Sequence, residues 1–211
     1  VIRNAHMTGC ASPLVTGYLD VRIRSGKPHL AGPVRAQALG CPASGIALAK
    51  AVARLDVGLS EALDHWSGRA EVGADAMRLK SIAMGRPSAD VHFDGSATQA
   101  QGRVAMAAGV LKYAAVQTGA IEASGAWRFA QSASGITASF QGQLGVDDVR
   151  PLDSSSLHAL RNAGAGTPVG PLVARLMDAA QAAGRDNKLR SFVRLAQTGA
   201  TGRMTVNGLD F

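Results

Sequence analysis

Apolar and polar residues alternate along most of the chain, and the stretch "GYLDVRIRSG" is an early example. In a β-strand, successive side chains point to opposite faces of the sheet. The alternation places Leu19, Val21 and Ile23 on one face and Tyr18, Asp20, Arg22 and Arg24 on the other. It therefore predicts a strand with one apolar face and one solvated face.

The same alternation recurs further along the chain. In "SADVHFDG", one face carries Ala89, Val91 and Phe93, and the opposite face carries Asp90, His92 and Asp94. In "KLRSFVRL", Leu189, Val193 and Leu195 share a face, but Phe192 falls on the side of the basic residues. Other strand-like runs are 28–39, 46–59, 64–73, 76–83, 100–116, 120–130, 135–146 and 203–209. With turn signals such as "SGKP" and "GRPS" between them, these runs predict a mainly β fold: a long antiparallel meander sheet, curved or rolled.

The segment 153–185 has a helical period instead. Its apolar stripe consists of Val169, Leu172, Val173, Leu176, Met177 and Ala180. Thr167 and Pro168 suit the start of this helix, and Gly184 suits its end. A shorter helix is predicted in "DSSSLHALRNAG". We expect an amphipathic helical pair between two strands of the sheet, with the stripe as a lid.

The composition favours a single β-rich module over residues 1–211. Hydrophobic residues make up 46% of the chain and aromatic residues only 4%, and there are 25 glycines, which together suit thin, regular strands. The apolar runs fall well short of the roughly 20 residues that a membrane-spanning helix needs. Both ends read as cuts within strands, so we expect a fragment of a longer polypeptide.

The two cysteines, Cys10 and Cys41, lie in "TGCASP" and "LGCPAS" at predicted strand ends. This placement suits a disulfide between neighbouring turns in an oxidising compartment. Two buried, reduced thiols are the alternative. Because the sequence has no Cys/His grouping at metal-ligand spacing, we predict no metal site, and we also expect no cofactor.

Residues that could perform catalysis are scattered along the chain. No ligand spacing relates the five histidines, His6, His29, His65, His92 and His158. Asp147 and Asp148 are adjacent and would point to opposite faces of a strand, which favours a turn or salt-bridge role over an acid/base pair. We therefore predict that the protein is not an enzyme.

The formal net charge is +7 and the pI is about 10.1. A charge of this sign attracts nucleic acid, phospholipid head groups or lipopolysaccharide. The isolated aromatic residues provide no stacking platform for single-stranded nucleic acid, so we predict no nucleic-acid partner. We interpret most of the arginines as the solvated face of an antiparallel sheet.

The Gly/Ala-rich strands, the run from "GAIEASGAWRF" into "GITASFQGQL" and the helical insertion before "RMTVNGLDF" resemble a known family. They are similar to the periplasmic part of AsmA-like proteins, most closely the YdbH-like branch. The resemblance implies a large envelope protein anchored in the inner membrane by an N-terminal helix. It also implies a bridge between the two membranes, with a curved sheet whose apolar face holds phospholipid acyl chains.

We accordingly expect a periplasmic lipid-binding module of an intermembrane phospholipid transport bridge, with no chemical step. Its expected partners are phospholipid acyl chains and other segments of the same longer chain. The residues expected to line the groove are Leu19, Val21, Ile23, Val91, Phe93, Leu189, Val193 and Leu195.

Two other classes of protein stay open. A structural or interaction module of the envelope would have a sealed core and would use its strand edges for docking. A hydrolase acting on envelope polymers would need His65, His92 or Asp148 beside a second catalytic group in a pocket. An open apolar trough favours lipid binding, whereas a closed core favours the structural module.

Overall fold

The computed structural model describes residues 1–7, 9–80, 82–113, 116–132, 135–151, 188–198 and 201–210. In this part of the chain, seventeen strands form one antiparallel sheet that does not close on itself, which confirms the prediction of a mainly β meander. The predicted helical pair at 153–185, with all its lid residues, lies outside the described residues. Within the described ranges, no helix has the length and hydropathy needed to span a bilayer.

The N-terminal part of the sheet contains β1 (Ile2–Met7), β2 (Cys10–Gly17), β3 (Asp20–Arg24), β4 (Lys27–Cys41) and β5 (Ile46–Leu59). β2 and β3 both run antiparallel to β4, which pairs on its other side with β5. Ser25 and Gly26 have positive φ angles of 49° and 76°. Two-residue hairpin turns of type I′ require such angles, so the "SGKP" turn signal marks the β3–β4 hairpin.

The middle of the sheet contains β6 (His65–Gly73), β7 (Ala76–Leu79), β8 (Ile82–Gly85), β9 (Ser88–Ser96), β10 (Gln99–Ala108) and β11 (Val110–Tyr113). β7 and β8 form a hairpin, so the prediction of a single strand at 76–83 is wrong. Lys80 in this turn has a φ of 53°. Because the turn contains neither Gly nor Pro, the sequence carries no turn signal there.

The C-terminal part contains β12 (Val116–Thr118), β13 (Ile121–Ser132), β14 (Gly135–Asp147), β15 (Arg150–Pro151), β16 (Lys188–Thr198) and β17 (Thr201–Asp210). β14 pairs with β13 on one side and with β16 on the other. β14, the last long strand before residues 152–187, is therefore the neighbour of β16, the first strand after them. β17 pairs with β16, so the meander runs in chain order from β1 to β17.

A line of backbone irregularities crosses the sheet and separates β6 from β7, β8 from β9 and β14 from β15. Positive φ angles mark it at Lys50, Arg86 and Asp148. An extra residue in a strand shifts the side-chain alternation by one position. In β5 the less exposed positions accordingly change from Ile46 and Leu48 to the odd-numbered residues that follow Lys50. The line thus keeps apolar residues on the same face in both halves of the sheet.

Cys10 and Cys41 form a disulfide that joins β2 to β4. The adjacent register pair, Ala11 with Gly40, places the two cysteines opposite each other on neighbouring strands. The predicted disulfide is confirmed, and it is compatible with an oxidising, non-cytoplasmic compartment. A crosslink with a sequence separation of 31 residues stabilises the fold by roughly 3–4 kcal/mol on a chain-entropy account.

Few side chains in the described part of the chain are removed from solvent. The buried hydrophobic residues there are Cys41, Ala108, Val146 and Val193. None of the large side chains is fully buried. A second layer packed on the sheet would bury large apolar residues completely. In the described residues, most apolar side chains are instead half-buried along one face of a single sheet.

Candidate functional site

Strand pairing aligns the apolar residues in rows across the sheet. One row, traced from β3 to β16, contains Val21, Leu30, Val57, Gly68, Phe93, Gly102, Trp127, Phe140 and Leu195. A second row contains Gly32, Leu55, Ala70, Val91, Val104, Gly125, Gly142 and Val193. These rows carry no charged side chain, and we call the side to which they point the apolar face.

The register brings most of the predicted groove residues onto this face. Val91 and Phe93 of β9 and Leu189, Val193 and Leu195 of β16 lie there, together with Val21 and Ile23 of β3. Leu19 lies outside the strands, between β2 and β3. Val193 is 6% exposed, Leu195 40% and Ile23 69%, so exposure is greatest at the margin near β3. Lipid contact by these residues stays a prediction.

Glycines interrupt the apolar face at points of close backbone approach. A Cβ on Gly102 would overlap the carbonyl oxygen of His92 on the neighbouring strand, and a Cβ on Gly142 would overlap that of Ser124. Only glycine fits such positions without backbone movement. Gly102 lies between Phe93 and Trp127 in its row. At this point of the row, the neighbouring backbone occupies the space that a Cβ would need.

The indole of Trp127 has an unsatisfied N–H group. Its Nε1 is buried and has no hydrogen-bond partner among the described residues. A buried donor without an acceptor costs about 1–3 kcal/mol. An acceptor supplied from beyond the described residues, by the chain itself or by a ligand, would remove this cost.

The opposite side, which we call the charged face, is held by exposed ion pairs between neighbouring strands. His29 Nε2 lies 2.7 Å from an oxygen of Asp56, and the Arg69 guanidinium lies 2.6 Å from Asp90. Arg69 donates two hydrogen bonds to Asp90, which makes this contact bidentate. Exposed pairs of this kind contribute little to stability, but they favour one strand register over a shifted one.

Two carboxylates near this face have perturbed acidity. The hydrogen bonds from Arg69 hold the pKa of Asp90 below its usual value, and the same contact raises the pKa of Arg69. A hydrogen bond from the Ser60 hydroxyl lowers the pKa of Asp64 in the turn between β5 and β6. All these groups therefore keep their charges at neutral pH.

Two open depressions lie on the charged face. The larger has a volume of ≈ 990 Å³, and small residues such as Ser88, Ala107 and Gly145 contribute to its lining. Most of its lining residues belong to two charged-face rows, one through Ala107 and one through Ala105. Residues of the apolar-face row between these two, such as Met106, also contribute. The smaller depression, of ≈ 490 Å³, is lined by polar residues that include Gln101, Arg128 and Ser139. Both are open, and apolar as well as polar atoms are exposed in their linings.

The residues that would favour a hydrolase form ion pairs. His65 Nε2 lies 3.2 Å from an oxygen of Asp94, and both residues line the smaller depression. This is the base-and-orienter half of a catalytic triad, but no nucleophile bonds to His65 in the described part of the chain. His92 lies 3.7 Å from Asp90. Asp148 pairs with Arg150, which fits its predicted salt-bridge role.

The described residues contain no group of three or more His, Cys, Asp or Glu side chains that could hold a metal ion. The His–Asp pairs themselves were missed at the sequence level, because their members are 27 and 29 residues apart. The available signal was that each member occupies a polar position of an alternating strand. Only the pairing register brings them together.

No family model, curated protein or solved structure matches this chain. The two faces of the sheet are therefore the features of this protein that bear on its function.

Proposed function

We propose that the apolar face binds the acyl chains of phospholipids, as a lipid-binding module without a chemical step. The observation that carries this proposal is the half-buried apolar face, which continues from row to row while the described residues form no sealed core. Apolar surface of this extent gains free energy when a partner removes it from water, at about 25 cal/mol per Å².

The composition of the face suits acyl chains better than a folded protein partner. The two rows traced above consist of aliphatic, aromatic and glycine residues, so they offer almost no side-chain hydrogen bonds that could specify a polar partner. Flexible hydrocarbon chains can follow an apolar surface of this kind without any fixed shape, because dispersion contacts have no directional requirement.

The resemblance to AsmA-like proteins and the disulfide support a location in the periplasm. The Cys10–Cys41 bond is of a kind that persists in oxidising compartments. On this proposal the module is one segment of a bridge between two membranes, and the full-length protein is anchored in the inner membrane.

The test is native mass spectrometry with lipid extraction on protein purified from a bacterial host without detergent. Ala123 and Ala126 lie on the same strand, β13, and point to opposite faces. Ala123→Asp places a charge on the apolar face, and Ala126→Asp places the same charge on the charged face. We expect phospholipid at a defined stoichiometry in the wild type and in Ala126→Asp, with a loss of about tenfold in Ala123→Asp, because a buried carboxylate must be desolvated.

Thermal unfolding of the two variants separates lipid binding from a sealed core. If the apolar face is open, Ala123→Asp loses lipid but keeps a melting temperature near that of Ala126→Asp. A large loss of stability in Ala123→Asp alone, together with a lipid-free wild type, would contradict the proposal and favour a structural envelope module. Val91→Asp on β9 repeats the test at a second, half-buried position of the same face.

A further inference from the structure

The balance of acidic and basic side chains on the charged face differs between β4–β9 and the strands β10, β13, β14 and β16. On β4 to β9, acidic side chains accompany the basic ones and pair with them, as in the Arg69–Asp90 contact. β10 and β16 contain no acidic residue. β13 and β14 contain one each, Glu122 and Asp147, at one end of the sheet. The other end of these four strands therefore presents basic groups without opposing charges.

Three arginines form the centre of this region. Arg103 of β10 and Arg194 of β16 lie in one row, separated by Ala126 and Gln141, and beyond Arg103 the row continues to His92 of β9. Arg128 of β13 lies in the next charged-face row, between Gln101 and Ser139. All three arginines are exposed, and none forms an ion pair with another described residue. Three strand spacings of about 4.8 Å separate Arg103 from Arg194 by roughly 14 Å.

Phe192 lies beside this cluster and explains the break in alternation noted in the sequence. It pairs with Gln143 and has the same parity on β16 as Arg190 and Arg194, so its ring belongs to the charged face. The register of β16 against β17 shifts between Ser191 and Phe192. The extra residue of this bulge is position 208 on β17, and β16 keeps an unshifted register with β14, so Phe192 follows the ordinary alternation of β16. An aromatic ring between two arginines is a combination found at membrane-binding surfaces.

We propose that this basic patch, composed of Arg103, Arg128, Arg194 and Phe192, docks on the surface of an anionic phospholipid bilayer. The three arginines lie on three different strands, β10, β13 and β16, and do not converge on one point. They therefore match an extended array of phosphates better than a single ion. Guanidinium groups bind phosphate oxygens in a bidentate manner. Phe192, which is half-buried and lines the larger depression, adds an apolar contact for the head-group region.

The smaller depression adjoins the patch and adds hydrogen-bonding groups. Arg128 lines it together with Gln101, Ser139 and Thr137, and the Asp94 carboxylate, which contacts His65, also lies in its lining. With a volume of ≈ 490 Å³, it has room for a head group whose phosphate contacts Arg128 and whose hydroxyls contact these polar side chains. A glycerol head group has this chemistry, so phosphatidylglycerol is the probe of choice. Single-stranded nucleic acid is a poorer match, since it would need several aromatic platforms and this patch has one ring.

Vesicle co-sedimentation of the full chain tests the proposal. We expect the wild type to bind vesicles of equimolar phosphatidylglycerol and phosphatidylcholine, and not vesicles of phosphatidylcholine alone. Arg103→Gln, Arg128→Gln and Arg194→Gln together should weaken binding on the order of 100-fold, because each basic group near an anionic surface contributes about fivefold.

Raising the salt from about 0.1 M to 1 M should remove most of the electrostatic contribution to vesicle binding. The remaining salt-resistant binding should fall in Phe192→Ser.

A second triple variant provides the matched control. Arg22→Gln, Lys50→Gln and Arg69→Gln remove the same number of charges, but each of these groups is already paired with a carboxylate. This control should keep at least a third of the wild-type affinity for the anionic vesicles. Circular dichroism of both triple variants checks that the sheet is intact, and Arg128→Gln alone serves if the first triple variant does not fold.

Three results would overturn the proposal: equal losses in the two triple variants, equal wild-type binding to neutral vesicles, or tighter binding of a single-stranded oligonucleotide through the same arginines.

The basic patch lies on the face opposite to the proposed acyl-chain site. Lipid retained during detergent-free purification reports on the apolar face, and vesicle sedimentation reports on the patch. Failure of one assay therefore leaves the other interpretable.

Discussion

On β9, Val91 and Phe93 are half-buried in rows of apolar neighbours, whereas His92 and Asp94, one residue further along, are exposed and paired with charges. The same backbone therefore supports two surfaces with different physics. Contacts on the apolar face are non-directional and gain free energy in proportion to area. Contacts on the charged face are directional and weak in water, but like charges would oppose each other if the register shifted.

This contrast indicates how a long open sheet can keep its register. A shift of one residue would expose the apolar rows on the side of the charged rows. It would also separate pairs such as His29 with Asp56 and Arg69 with Asp90. The apolar face provides most of the cohesion, and the charged face provides solubility and alignment.

The largest difference between the faces is expected from two glycine substitutions. Gly102→Ala should lower the free energy of unfolding by about 3 kcal/mol, because its Cβ would overlap the His92 carbonyl oxygen. Gly73→Ala on the charged face should change it by less than about 0.5 kcal/mol, since its Cβ would lie 3.6 Å from the nearest atom, the Pro87 carbonyl oxygen. Urea unfolding measures both, and similar losses would show that the faces do not differ in backbone approach.

A side-chain truncation tests how open the apolar face is. Phe→Ala in a sealed core costs about 3–5 kcal/mol. We expect Phe93→Ala to cost about 2 kcal/mol in lipid-free protein, because the ring is only half-buried. His92→Ala, on the opposite face of the same strand, should stay within about 0.5 kcal/mol. A loss above about 4 kcal/mol for Phe93→Ala would mean that another part of the chain covers this row.

The smallest effect is expected at the Arg69–Asp90 pair. Because its folded-state pKa is lowered, Asp90 contributes its stability above the unfolded value of 3.8, and this contribution disappears as the pH falls through the folded-state pKa. Arg69→Gln should raise the pKa of Asp90 towards 3.8, as measured by NMR titration of the carboxyl carbon. Arg103→Gln, which makes no ion pair with Asp90, is the control and should leave the titration unchanged.

The local character of each strand could be predicted from alternation, as with Val91 and Phe93. The positions of the cysteines at strand ends likewise predicted the disulfide. The β7–β8 hairpin could not be predicted, because Lys80 adopts a positive φ without a Gly or Pro signal. The irregular line through Lys50 and Asp148 was also missed. An isolated strand gives no indication that its neighbours bulge at the same level.

The candidate site also combines features that the sequence predicted with features that only the strand pairing decided. Alternation showed that Val21, Phe93 and Leu195 would each point to an apolar face. That the three share one row across the sheet follows only from the pairing register. The His65–Asp94 pair and the grouping of Arg103, Arg128 and Arg194 depend on the same register, since their members come from different strands.

The sequence by itself determined that this protein is a β meander with one apolar face and one charged face, because side-chain alternation is a local property of the chain. Cysteine placement favoured a disulfide but left two reduced thiols open, and the structure shows the bond. The tertiary structure decided which residues share a row, where glycines allow close approach, and where the arginines are left without acidic partners. These features depend on strand pairing over long sequence distances, and a pairing shifted by one residue would change every one of them.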